Sequence, residues 1–156
     1  MIAVALAEAT ATEQLGAVVA ARLVPGDVVL LTGDLGAGKT TFTRGLVRRL
    51  GGGESVTSPT FTLCHLYDTT PPVAHVDCWR LEGIAEVVDL GLDELIDDGS
   101  CVIAEWGERA APVIGQDALV VTLEYDDDHR RATIDATGIR SRSRLDALAD
   151  DLGIES

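Results

Sequence analysis

An octapeptide between a short apolar run and an amphipathic segment constrains the fold of this chain more than any other feature. It reads Gly33-Asp-Leu-Gly-Ala-Gly-Lys-Thr40 and has the spacing G-x-x-x-x-G-K-[ST], the P-loop pattern in which backbone N–H groups surround a polyphosphate. Val28–Leu31, just before it, is wholly apolar, as expected of a strand buried on both faces of a parallel sheet. Residues 40–50, after it, carry apolar side chains at helical spacing. The order of strand, glycine-rich loop and helix predicts an α/β nucleotide-binding fold.

The residue types within this loop suit a phosphate site for physical reasons. Glycine permits the positive φ angles of a tight anion-binding loop, and a helix that begins near Gly38 directs the positive end of its dipole at the phosphates. Lys39 is the only lysine in a chain with eleven arginines. Its compact ammonium suits the β- and γ-phosphates, where a bulkier guanidinium would not occupy the same space. The hydroxyl of Thr40 is the expected Mg²⁺ ligand, so the loop predicts a site for the phosphates of a nucleotide with Mg²⁺.

Two carboxylates follow two further apolar runs. Asp77 comes directly after Val73–Val76, and Glu105 comes directly after Cys101–Ala104. The carboxyl ends of buried parallel strands meet beside the glycine-rich loop in folds of this type. Such a site needs one acid near the metal and a group that orients the attacking water. Either acid alone could be an ordinary exposed strand end, but the pair favours a functional role, with the division of labour between them left open.

The remaining patterns predict one domain over residues 1–156. Helices are predicted at 11–23, after a capping box formed by Thr10 and Glu13, at 84–98 as one or two helices, and around 145–152. A strand is predicted at 61–67, and a hairpin from 119–124 and 132–135. We therefore expect an α/β, P-loop NTPase-like three-layer sandwich. Its mainly parallel central sheet has helices on both faces and an antiparallel hairpin toward the C-terminus.

Composition narrows the possible partners and compartment. The chain has 12 basic and 26 acidic residues and a formal charge of −14, so stable binding to bare DNA, RNA or anionic lipid is not expected. No stretch approaches the roughly 18 apolar residues of a membrane span, and the first residues lack a cationic signal-peptide region. The three cysteines are widely spaced, which is typical of reduced thiols. These features predict a cytoplasmic location.

Four segments together resemble the TsaE (YjeE) family of bacterial P-loop ATPases. They are residues 33–42 with Arg44-Gly45, Ser58-Pro-Thr-Phe61, His75-Val-Asp-Cys-Trp-Arg-Leu81, and Glu105-Trp106. Their order and spacing match, and the likeness runs from the N-terminal helix to about residue 135. The resemblance implies a Mg²⁺-dependent ATPase that is needed for threonylcarbamoylation of adenosine 37 (t6A) in tRNAs that read ANN codons. It also implies a TsaB–TsaD heterodimer as partner. TsaD would perform the transfer, ATP hydrolysis would drive the cycle of the complex, and tRNA would be contacted only indirectly.

The resemblance also implies roles for individual residues. The ATP phosphates would be bound by Gly36, Ala37, Gly38, Lys39, Thr40 and Thr41. Thr40 and Glu105 would hold Mg²⁺, and Asp77 would be the Walker-B-type carboxylate near the metal that is required for turnover. A switch-like loop near the γ-phosphate would consist of Ser58, Pro59, Thr60 and Phe61. Trp106 and Arg80 would contact nucleotide or partner, Arg130 would lie near the nucleotide, and Thr10 and Thr12 would lie near the adenine.

Two positions depart from the family pattern, and three admit an ordinary structural interpretation. Gly107 stands where the family commonly has proline, and Trp79 stands where it has tyrosine. Trp79 and Trp106 could both be core aromatic residues. The position of His75 inside an apolar strand favours a buried core histidine.

Three other functions use the same loop. A small-molecule kinase needs an acceptor pocket and an arginine-bearing lid, for which Arg109, or Arg130 with Arg131, could serve, but no insertion of lid length is visible. A Ras-type GTPase needs an N-K-x-D segment, and Lys39 is the only lysine available. A nucleotide-binding adaptor without turnover is the third alternative.

Overall fold

The computed structural model describes residues 1–34, 36–53, 56 and 64–155 of the chain. The strands are β1 (Ile2–Leu6), β2 (Val28–Gly33), β3 (Cys64–Tyr67), β4 (Val73–Asp77), β5 (Cys101–Glu105), β6 (Leu119–Asp126) and β7 (His129–Ala136). The helices are α1 (Ala9–Ala20), α2 (Lys39–Arg49), α3 (Ile84–Asp89), α4 (Leu92–Asp97), α5 (Gly107–Ile114) and α6 (Ile139–Leu152). Within the described ranges, no helix is long and apolar enough to cross a bilayer.

The strands form one seven-stranded sheet in the order β1-β7-β6-β2-β5-β4-β3. Its centre is parallel, because β2 pairs in parallel with both β5 and β6, and β5 pairs in parallel with β4. The hairpin of β6 and β7 is antiparallel, and the edge strands β1 and β3 also pair antiparallel with their neighbours. The predicted fold class is therefore confirmed, including the hairpin toward the C-terminus.

Successive side chains of β2 point to opposite faces of the sheet, so they contribute to two separate parts of the core. Val29 and Leu31 join a buried cluster that includes side chains of α1, α2 and α6. Val28 and Leu30 join a second cluster, which includes side chains of α3, α4 and α5. Because successive strand residues point to opposite faces, a continuous apolar run fills both layers. This is the three-layer arrangement that the apolar runs predict.

Helices α1 and α2 cross with their backbones almost in contact. A Cβ atom at Gly45 would lie 1.9 Å from the carbonyl oxygen of Glu13, and one at Gly16 would lie 2.1 Å from that of Phe42. Real Cβ atoms do not approach backbone atoms this closely, so each helix contributes one glycine to the crossing. The crossing fixes α2, whose first residue is Lys39, against the rest of the fold.

Strand β1, helix α1 and helix α5 differ from the sequence prediction. Strand β1 was not predicted, and α1 begins at Ala9 with Glu8 as its N-cap, without a side-chain cap. The predicted capping box is wrong, because the Thr10 hydroxyl hydrogen-bonds Glu8 and the Glu13 carboxylate pairs with Arg48 of α2. The prediction of a strand at 61–67 is confirmed for Cys64–Tyr67, and residues 61–63 lie outside the described ranges.

Helix α5 was also not predicted. It contains a proline, Pro112, and begins with a glycine, and both residues weaken a helical pattern. The helix forms because it packs closely on the sheet. Gly107 is buried, and a Cβ atom there would lie 2.6 Å from the Cβ of Leu30. Gly107 thus permits close contact between α5 and β2.

Candidate nucleotide site

The glycine-rich loop that follows β2 has backbone φ angles that glycine favours. Gly33, Gly36 and Gly38 have φ angles of 134°, 78° and 110°. Residues other than glycine rarely adopt such φ angles. A Cβ atom at Gly33 would also lie 2.2 Å from the carbonyl oxygen of Leu123. Gly38 is the N-cap of α2, so the unpaired N–H groups of the first helical turn belong to the residues that the sequence assigns to phosphate binding.

Lys39 is buried at the start of α2, and among the described residues its ammonium contacts uncharged groups. Its ammonium donates hydrogen bonds to the carbonyl oxygens of Gly33, at 2.7 Å, and Asp34, at 3.2 Å. The same Nζ atom lies 4.3 Å from the centroid of the Trp106 ring, which is a cation–π distance. A cation held by carbonyl dipoles and a ring face at the mouth of a glycine-rich loop is well suited to accept an anion.

The Trp106 ring belongs to a stack of side chains that reaches the protein surface. Its centroid lies 4.4 Å from that of Trp79, and the guanidinium carbon of Arg109 lies 5.5 Å from the Trp79 ring. Arg109 also donates hydrogen bonds to the carbonyl oxygens of Trp79 and Leu81. Trp79 is 50% exposed, so the interpretation of this residue as a core aromatic is wrong. Trp106 is half-buried with a positive φ of 55°, an unusual backbone angle for a large residue.

Asp77 and Glu105 end neighbouring strands and are directly opposite each other in the β4–β5 register. Glu105 also pairs in register with Leu31 of β2, two residues before the glycine-rich loop begins. Both predicted carboxylates therefore lie at the loop edge of the sheet. Glu105 is buried, and its Oε2 lies 2.7 Å from Nε2 of the fully buried His75. Asp77 is half-buried and accepts a hydrogen bond of 2.9 Å from the backbone N–H of Trp79.

The hairpin and α1 approach the loop from its other side. The Tyr125 hydroxyl donates to the carbonyl oxygen of Gly36 at 2.6 Å, and the guanidinium carbon of Arg130 lies 5.7 Å from the Tyr125 ring. A Cβ atom at Gly38 would lie 3.3 Å from Thr12 Cγ2 and 3.5 Å from Arg130 Nη1. The structure thus brings the predicted residues Thr12 and Arg130 to the loop. Tyr125 was missed, since its contact with Gly36 spans 89 residues and no local pattern marks it.

The other predicted residues have different positions. Thr10 is exposed and lines a groove of about 440 Å³ between α1 and α2. Thr41 is half-buried in the first turn of α2, and Arg80 is exposed after β4. The predicted switch-like segment, Ser58, Pro59, Thr60 and Phe61, lies outside the described residues.

The described residues fit a magnesium nucleotide on three observations. Three glycines of the loop have positive φ angles, Lys39 donates hydrogen bonds to carbonyl oxygens, and the buried Thr12 hydroxyl beside Gly38 has no hydrogen-bond partner among the described residues. No group of three or more His, Cys, Asp or Glu residues in the described ranges could hold a metal ion by itself. Mg²⁺ bound together with a nucleotide uses one or two protein oxygens alongside phosphate and water. Thr40, Asp77 and Glu105 are the residues available for this role.

The three cysteines of the chain are not reactive nucleophiles. Burial, reinforced by the charge of Asp77, raises the pKa of Cys78 to about 12, and burial raises the pKa of Cys101 to about 11. Burial also raises the pKa of Cys64. All three are unpaired thiols, which remain protonated near neutral pH. The chemistry of the site therefore rests on its lysine, hydroxyl and carboxylate groups.

Comparisons with known proteins agree on one family. A family model described as threonylcarbamoyl adenosine biosynthesis protein TsaE matches residues 6–133. The chain is 40% identical over 136 residues to a Streptomyces coelicolor protein, covering 81% of this chain and 91% of the relative. It is 38% identical over 143 residues to a Bacillus subtilis protein, covering 90% and 87%. Both relatives are named tRNA threonylcarbamoyladenosine biosynthesis protein TsaE. The crystal structure of Bacillus subtilis YdiB matches with a TM-score of 0.79 and 33% identity, covering 96% of this chain and 95% of that one.

Proposed function

This chain belongs to the TsaE family of tRNA threonylcarbamoyladenosine biosynthesis proteins, and from that premise we propose that it is a Mg²⁺-dependent ATPase. Hydrolysis would drive the cycle of a TsaB–TsaD transferase complex and would not itself perform the transfer. The observation that carries this proposal is the buried Lys39 ammonium, held by two carbonyl oxygens and a tryptophan ring at the mouth of the glycine-rich loop.

The proposed binding step exchanges weak partners of Lys39 for a strong one. Its carbonyl contacts are neutral dipoles, whereas a triphosphate offers full negative charges in a partly buried setting. The backbone N–H groups of Gly36, Gly38 and the first turn of α2 would bind the phosphate oxygens alongside it. Thr12 and Arg130, which lie beside Gly38, would complete the nucleotide contacts.

The proposed hydrolytic step depends on three oxygen-bearing side chains. Mg²⁺ supplies neutralisation of the charge that develops on the transferring phosphoryl group. We assign the Thr40 hydroxyl and the Glu105 carboxylate to holding this ion, since Glu105 is buried and lies within hydrogen-bond distance of His75. Asp77, on the neighbouring strand end and less buried, would act on the metal's water shell or orient the attacking water.

A partner is part of the proposal because of charge and size. A chain of 156 residues with a formal charge of −14 is poorly suited to hold tRNA directly. We expect it to act on tRNA only through the TsaB–TsaD heterodimer, in the cytoplasm, with slow turnover when alone. The kinase alternative requires an arginine-bearing lid, for which Arg109 was one candidate. Arg109 instead donates hydrogen bonds to the carbonyl oxygens of Trp79 and Leu81, which weakens that alternative.

The decisive experiment compares ATP hydrolysis by the purified protein with and without a TsaB–TsaD heterodimer. We expect the heterodimer to increase turnover, and a Lys39→Ala variant to remain inactive in both conditions. Equal turnover with and without the heterodimer would refute the coupling. Phosphorylation of a metabolite much faster than ATP hydrolysis would favour the kinase instead.

A further inference from the structure

His75 is a histidine in the middle of an apolar strand whose partner is a carboxylate of the proposed site. It belongs to β4, is fully buried, and its Nε2 lies 2.7 Å from Oε2 of Glu105. Glu105 ends the neighbouring strand β5 and is itself only 4% exposed. A buried polar contact this short between two strands restricts the orientation of both side chains.

The other ring nitrogen of His75 identifies the donor in this contact. Nδ1 is buried, and it has no hydrogen-bond partner among the described residues. A proton on Nδ1 would leave a buried N–H unpaired and would point the lone pair of Nε2 at a carboxylate oxygen. A proton on Nε2 avoids both costs. In neutral His75, Nε2–H therefore donates to Oε2 of Glu105.

The ring is also held by its surroundings. Tyr67 of β3 stacks beside it, with ring centroids 6.5 Å apart and planes inclined by 29°. A fully buried ring that contacts an aromatic neighbour has little freedom to turn, so its N–H direction is fixed by the fold. Glu105 thus receives a hydrogen bond whose direction is set by the core of the sheet.

We propose that His75 is a positioning residue, which holds the carboxylate of Glu105 in the orientation that binds the metal of a magnesium nucleotide. This inference rests on the proposed function, because it requires Glu105 to be a metal ligand. Groups that hydrogen-bond to metal ligands typically change metal affinity by about 10- to 100-fold when they are removed. His75 would act through Glu105 and would not touch the nucleotide.

Two substitutions separate the hydrogen bond from the packing of the ring. His75→Phe keeps an aromatic ring beside Tyr67 but has no donor, whereas His75→Gln has an amide N–H near the position of Nε2. His65→Phe is the matched control, since His65 lies opposite His75 in the β3–β4 register and contacts Tyr67 edge-on at 6.4 Å. Each variant is first checked for folding by thermal unfolding and for metal-free affinity toward a non-hydrolysable ATP analogue.

The readout is binding of Mn²⁺, used in place of Mg²⁺, to the complex of protein and analogue, measured as loss of the free Mn²⁺ signal in electron paramagnetic resonance. We expect His75→Phe to weaken Mn²⁺ binding about 10- to 100-fold. His75→Gln should restore most of the loss, and His65→Phe should match the wild type. In a Glu105→Gln background, the further loss caused by His75→Phe should fall below about 3-fold, because the two residues act as one unit.

The outcomes distinguish this inference from the function on which it rests. If the wild type fails to bind Mn²⁺ with the analogue, the proposed function fails, and the inference fails with it. If the wild type binds but His75→Phe binds equally well, only the inference is overturned. Equal weakening in the Phe and Gln variants, or an undiminished effect in the Glu105→Gln background, would also overturn it. Should His75→Phe not fold, His75→Leu takes its place in the same comparison.

Discussion

Replacing Gly45 by alanine should destabilise the fold even though alanine favours helices. Gly45 lies in α2 at the crossing with α1, and a Cβ atom there would stand 1.9 Å from the carbonyl oxygen of Glu13. The obstacle is backbone, so no side-chain rotation can relieve it. The two helices would have to separate by about 1 Å, which is a large displacement in a close-packed interior.

Two opposing terms set the size of the effect. Overpacking a well-filled interior costs about 1–3 kcal/mol, and the upper end applies because the contact is with backbone. The better helix propensity of alanine stabilises the helix by about 1 kcal/mol relative to glycine. We therefore expect the free energy of unfolding to fall by about 2 kcal/mol, which corresponds to a decrease in Tm of roughly 4–8 °C for a chain of this size.

The measurement is urea and thermal unfolding followed by circular dichroism. Gly53→Ala is the matched control, because a Cβ atom at Gly53 meets nothing within 4 Å. It should change the free energy of unfolding by no more than about 0.5 kcal/mol. If Gly45→Ala unfolds at the same urea concentration as Gly53→Ala, the helices are not in close backbone contact and the account of their crossing is wrong.

Four other predictions concern the proposed site and the buried thiols of Cys78 and Cys101. Lys39→Ala should weaken ATP binding about 10- to 100-fold, as measured by isothermal titration calorimetry, because a charge-assisted contact is lost. Retained affinity would contradict the assignment of Lys39 to phosphate binding. Asp77→Asn and Glu105→Gln should mostly spare nucleotide affinity but lower turnover on the order of 100-fold in an ATPase assay, and wild-type turnover in either would remove that residue from its role. Cys78 and Cys101 should not react with a thiol reagent at pH 8 in the folded protein, since their pKa values are raised to about 12 and about 11. Unfolded thiols ionise near pH 9 while these two remain protonated, so the free energy of unfolding should fall from pH 9 to pH 11. Part of that fall should be absent when both residues are alanine, as measured by urea unfolding.

Local patterns were sufficient where a feature depends on neighbours in sequence. The apolar run before the glycine-rich loop, the loop and α2 are contiguous, so the sequence predicts them together. Asp77 and Glu105 could be placed at one edge because each ends a buried run and parallel strands share an edge. The register in which they face each other depends on pairing between strands that no local pattern specifies.

Features that depend on distant contacts could not be predicted. The short strand Ile2–Leu6 pairs with β7, more than a hundred residues later in the chain, and buries Ile2 and Leu6 in the core. Helix α5 depends on the fit of Gly107 against Leu30, which overrides its weak helical pattern. The apolar surroundings of His75 indicated a core residue, and only the β4–β5 pairing shows that a carboxylate accepts its hydrogen bond.

The stack of Lys39, Trp106 and Trp79 provides an optical signal of the proposed binding event. The chain has two tryptophans, and both belong to this stack. Indole emission depends on nearby charge, so transfer of the ammonium from the ring face to a phosphate would change the intrinsic fluorescence. A Trp79→Phe variant would leave Trp106 as the sole tryptophan, with its ring centroid 4.3 Å from Nζ of Lys39, and would report binding without any attached dye.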